Sequence, residues 1–144
     1  MLSLVQDFTY LSGIRLLRFD TISIINIMKL SVVFTVLNQL KIDHWQTKSY
    51  AEHKALGTAY ENLDGLFDKF VEVFYGKNTI PSSNTTYSIK SDSYADNVIE
   101  RYKQMRVKVI EYLLQLSENS GDLKNITDEI EGEFNHLLYR LQQK

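Results

Sequence analysis

The chain has 144 residues, 44% of them hydrophobic and 24% charged, a composition that suits one globular domain and argues against wholesale disorder. A formal net charge of -2, with Lys and Arg spread along the chain, supplies no basic field to attract nucleic acid. With no Cys there is no disulfide framework, thiolate site or Cys nucleophile, so a metal would have to be held by His and carboxylates, and the chain suits the cytoplasm.

Residues 1–27 are apolar but interrupted by Asp7, Arg15, Arg18 and Asp20, so they lack the uncharged run of about 18 residues that a membrane span needs. They read as an N-terminal extension or extra packing segment, and residues 28–144 as the compact domain. From Ile24 to Gln46 the apolar positions Ile27, Leu30, Val33, Phe34, Leu37 and Leu40 recur at three and four, predicting a first helix. The β-branched Val32, Val33 and Val36 make a strand the competing assignment, which the length and spacing of the run oppose.

Thr47 to Tyr50 form a polar break in which Ser49 is an N-cap and Glu52 completes a capping box. A second helix follows to about Tyr75 on a seam of Leu56, Tyr60, Leu63, Phe67, Phe70 and Phe74, with Gly76 as its stop. Residues 77–92 hold the single Pro, Pro81, among Asn, Ser and Thr, and read as a long crossover. The third helix runs from near Ser93 to about Glu118 on Val98, Tyr102, Met105, Val109, Tyr112 or Leu113, and Leu116. Asn119, Ser120 and Gly121 close it, with Gly121 supplying the left-handed turn. The fourth begins near Asp122 on a stripe of Leu123, Ile126, Ile130, Phe134, Leu137 and Leu141. Four amphipathic helices with two short links and one long one predict an all-α antiparallel four-helix bundle, two hairpins joined by a crossover of the ferritin-like kind.

Chemistry concentrates on the first hairpin. His44 ends the first helix and His53 opens the second, so the turn between them brings the imidazoles together. Glu61, Asp64, Asp68 and Glu72 follow on one stripe of the second helix beside its apolar seam. Imidazole nitrogen with carboxylate oxygen suits iron, manganese or zinc; the same acids equally describe a solvated face, with Lys54 and Lys69 as compensating cations. On the fourth helix Glu133 and His136 have the Glu-x-x-His spacing of di-iron bundles, at a boundary position. Trp45 beside an apolar stripe reads as core, and the many Tyr suit a partly wet subunit interface. No Gly-x-Ser-x-Gly elbow or Gly-rich phosphate loop is present.

His44-Trp45 followed by His53, with Asp68 and Glu72 fifteen and nineteen residues after it, resembles the ferroxidase region of the Dps branch, the mini-ferritins of the ferritin superfamily. The stretch from His44 to Gly57 also resembles a group of small ferritin-like bacteriophage proteins, over about residues 30–142. The Dps resemblance implies a homo-oligomer in which His44 and His53 of one subunit share iron, or another transition metal, with Asp68 and Glu72 of its dimer mate, Asp64 standing by. The sequence departs from that pattern at Gly57, where an Asp ligand belongs, and in a shorter His-to-His gap. Two functions follow: metal binding with ferroxidase-like chemistry, or a non-catalytic phage helical bundle with a degenerate site, which binds a host or virion protein in the host cytoplasm.

Overall fold

The computed structural model describes residues 30–78, 88–89 and 97–143. Four helices and no strand lie among them: α1 over residues 30–46, α2 at Tyr50–Lys77, α3 at Val98–Leu116 and α4 at Gly121–Leu141. None is long and apolar enough to cross a membrane. The three-four stripes pack together as one all-α bundle. Leu40, Leu56, Leu63, Phe67, Phe70, Leu113, Ile130, Phe134 and Leu137 form its solvent-free centre.

The ends of the helices obey local chemistry, with some shifts from the sequence reading. Ser49 caps α2, its hydroxyl accepting from the Glu52 backbone N–H. The box closes through Thr47, whose Oγ1 accepts from the Ser49 backbone N–H and donates to the Glu52 carboxylate. Gly76 does not stop α2, which continues to Lys77 and is capped by Asn78. The start expected near Ser93 falls outside the described residues; described α3 begins at Val98, with Asn97 Oδ1 accepting from the Glu100 N–H. The left-handed residue of the α3–α4 turn is Asn119, at φ 64°, while Gly121 is already the first residue of α4. Asn reaches this region at small cost because its short polar side chain bonds locally.

α2 and α3 each pack on α4. Lys77 near the end of α2 reaches Asp122 at the start of α4 at 2.7 Å, and Lys69 meets Glu129 at 3.4 Å. The Lys77 ammonium, then the Ser120 hydroxyl, holds the Asp122 carboxyl well below the usual carboxylate range. The buried Ser117 and Thr127 hydroxyls touch at 3.2 Å where α3 meets α4.

α1 is tied to α3 by a buried polar cluster. Asp43 is 0% exposed. Its carboxylate accepts two 2.8 Å bonds from Arg101, one of 2.6 Å from the Tyr102 hydroxyl and one of 3.1 Å from Gln39 Nε2, one turn back on α1. A carboxylate removed from water needs this satisfaction, since a buried charge without partners costs several kcal/mol. Phe34, expected in the α1 seam, is 42% exposed; Val36 takes the buried place instead.

Removing one member strands the others. Asp43→Ala is expected to lower the unfolding free energy by about 3–5 kcal/mol, read by urea denaturation at neutral pH. Burial, then the Asp43 charge, raises the Tyr102 phenol well above its ordinary value, and burial also raises Tyr112. Their contribution is therefore complete below the unfolded tyrosine value of about 10 and declines as pH rises through the folded values. The wild type should lose stability above that pH more steeply than a Tyr102→Phe, Tyr112→Phe variant.

Candidate functional site: the histidine pair of the first hairpin

Helical periodicity distributes three consecutive residues at the end of α1. Asp43 points into the core, His44 turns toward α2, and Trp45 faces out. The α1–α2 turn then brings His53 back beside His44. Their rings stack at 3.8 Å with 24° between planes. His44 Nδ1 lies 2.8 Å from the His53 carbonyl oxygen, and His53 Nδ1 lies 2.9 Å from the His44 carbonyl oxygen. A carbonyl only accepts, so each Nδ1 carries the donated proton and each neutral ring keeps its lone pair on Nε2. The result is a reciprocal staple across the turn, in which His53 satisfies one of the last carbonyls of α1 and His44 bonds a carbonyl in the first turn of α2.

Gly57 belongs to the staple. A Cβ built there would lie 2.9 Å from His44 Cε1 and 3.1 Å from its Nδ1. Steric fit to the imidazole therefore explains the residue that stands where the Dps pattern has an Asp, and any side chain at this position displaces the ring.

The proposed ligands do not converge within one chain. Glu61, Asp64, Asp68 and Glu72 are all exposed on α2, and the fifteen residues from His53 to Asp68 amount to about 22 Å along a helix. Among the described residues no group of three or more His, Asp or Glu side chains is placed to hold a metal ion. The stacked rings are poorly set to chelate an ion by themselves either: imidazole lone pairs lie in the ring plane, and the two planes are nearly parallel, 24° apart with centroids at 3.8 Å. An ion about 2.0–2.1 Å from both nitrogens would sit out of both planes. Nor do the compensating lysines sit as expected, since Lys69 pairs with Glu129 of α4 and Lys54 lies over the Tyr50 ring.

Glu133 is buried, beyond the boundary position expected of it, and accepts a 2.9 Å bond from Arg140, while His136 faces solvent with its Nδ1 3.8 Å from Glu133. This is a structural ion pair and not an inward-aimed Glu-x-x-His. Trp45, expected in the core, is 69% exposed, and Tyr50 across the turn is 74% exposed. Lys41 stands 5.9 Å from the Trp45 ring and 4.2 Å from the Tyr60 ring. The sequence carries no cue for this, because only the structure turns Asp43 inward, and a residue two positions later then points away from the core.

Gly57→Ala separates the staple from helix propensity. In a His44→Ala background the added methyl should stabilise by up to about 1 kcal/mol, as Ala over Gly does inside a helix. In the wild type the displaced ring should cancel or reverse that gain. Urea unfolding of the four proteins in the cycle gives the coupling, and additivity within about 0.3–0.5 kcal/mol would show that the ring does not occupy this space.

No curated protein and no solved structure matches the chain. A family model described as a family of unknown function (DUF5856) matches residues 44–141, from the first histidine of the pair to the last residue of α4. That span is more than half of the chain and holds the staple, Gly57 and three of the four helices, so the chain belongs to the DUF5856 family.

Proposed function

We propose that this chain is a non-catalytic helical-bundle interaction module whose aromatic tip, Trp45 and Tyr50 at the α1–α2 turn, binds a protein partner. The exposure of Trp45 carries the reading. A Trp buries more apolar surface than any other side chain, and one left in water at a rigid turn is a ready anchor for an interface. The stapled histidines behind it supply the rigidity, because both Nδ1–H groups are committed to backbone carbonyls. For a phage-encoded chain the partner would be a host or virion protein.

The finer architecture belongs to the same proposal: antiparallel neighbours in two hairpins joined by a ferritin-like crossover. It is supported by side-chain pairs that place the end of α2 beside the start of α4, Lys77 with Asp122, the end of α1 beside the start of α3, Asp43 with Arg101, and the end of α3 beside the first turns of α4, Ser117 with Thr127.

One observation favours a second reading, an intersubunit metal site in a homo-oligomer. Metal-ligating histidines commonly donate their other ring N–H to a backbone carbonyl, and both rings here do so, which leaves Nε2 as the ligating nitrogen. Iron, manganese or zinc held there would also need Asp68 and Glu72 of a second subunit, with rotation of at least one ring out of the stack.

The two readings separate in one set of measurements. For the interaction module, a partner captured by the wild type should bind a Trp45→Ser, Tyr50→Ser variant at least about 30-fold more weakly, an anchor loss of 2 kcal/mol or more. The melting temperature should ignore chelators. A melting temperature that rises with added metal, and no longer does in His44→Ala, Asp68→Ala, would establish the metal site; partner binding indifferent to the tip would remove the interaction reading.

A further inference from the structure

Between α1 and α3 lies a groove of about 410 Å³, within the range of roughly 300–1,000 Å³ typical of small-molecule sites. Its floor is apolar. Val36 and Val109 are core residues, and Val32 and Met105 pack beside them. The pairs 32/36 and 105/109 are each one turn apart, so the two helices contribute matching apolar strips.

The walls differ in character from the floor. Thr35 and Gln104 add polar groups, and the two ionisable side chains among the described residues that line the groove, Arg101 and Lys108, are both cationic. No carboxylate among the described residues lines it, although acids outnumber bases in the chain, 18 to 16. The nearest anion behind the wall, Asp43, is sealed from solvent and already shared among Gln39, Arg101 and Tyr102. Lys108 is exposed, lines the groove and makes no ion pair among the described residues.

We propose that this groove binds a small organic anion with an apolar body, a medium-chain carboxylate, its hydrocarbon on the Val36–Val109 floor and its carboxylate at Lys108. An apolar strip alone would take any hydrophobe, and a cation alone would take any anion. The combination selects an amphiphile whose charged end and apolar end are a few carbons apart. The site shares no residue with the histidine pair or the aromatic tip and stands apart from the interaction reading.

The test is calorimetric titration of the full chain with octanoate, decanoate, decanol and inorganic phosphate. Decanoate is expected to bind at one site about 15-fold more tightly than octanoate, since each buried methylene contributes about fourfold. Phosphate should not bind. Lys108→Glu, an exposed substitution that leaves the core untouched, should weaken decanoate at least about tenfold and leave decanol unchanged. Thr35→Trp fills the groove and should abolish both, with circular dichroism and the melting temperature reporting that the fold is kept. Absence of saturable decanoate binding in the wild type overturns the proposal. So does binding that neither variant changes, which would place the amphiphile on some other apolar surface.

Discussion

The burial of one carboxylate constrains this molecule more than any other single contact. Asp43 is sealed from solvent, and an ionised group there is tolerable only with donors on every side. Two of its donors, Arg101 and Tyr102, are consecutive residues at the start of α3, so satisfying the carboxylate sets both the height and the rotation of α1 against α3. The orientation of everything else at that end of α1 follows from the 100° advance per residue. With Asp43 inward, His44 lies toward α2 and Trp45 is driven into solvent.

From that registration the hairpin acquires its own lock. The rings of His44 and His53 each carry a proton to the other's carbonyl and lie against one another, and Gly57 leaves the room that the first ring fills. The same geometry that commits both Nδ1 atoms to carbonyls also stacks the rings in nearly parallel planes, an arrangement unsuited to sharing one ion in the plane of both rings. Chemistry at this pair therefore depends on ring rotation and on groups from outside the chain. The exposed aromatic residues around the turn need neither.

The polar surface divides by helix. Along α2 the acids Glu61, Asp64, Asp68 and Glu72 face water, and the cation nearest their middle, Lys69, is drawn across to Glu129 of α4. In the α1–α3 groove the ionisable side chains among the described residues, Arg101 and Lys108, are both cations. A near-neutral chain thus distributes its charges unevenly, an arrangement that net charge cannot reveal.

The sequence by itself determined the helices and most of the core, because burial imposes a three-four period that survives in the residue order. The α2 and α4 stripes, from Leu56 to Phe74 and from Leu123 to Leu141, are buried throughout except for the half-buried Tyr60. Local caps such as Ser49 were legible for the same reason, since their partners lie within a turn. Residues whose environment comes from a distant helix were not. Asp43 has no local mark of burial, its donors Arg101 and Tyr102 lying 58 and 59 residues away. Gly57 read as a missing ligand because nothing in the order of residues says that an imidazole nine positions before its neighbour His53 will lie over its Cα. Only the tertiary structure decided these, since a side chain's chemistry depends on what is packed against it, and periodicity records which face is buried but not which partner buries it.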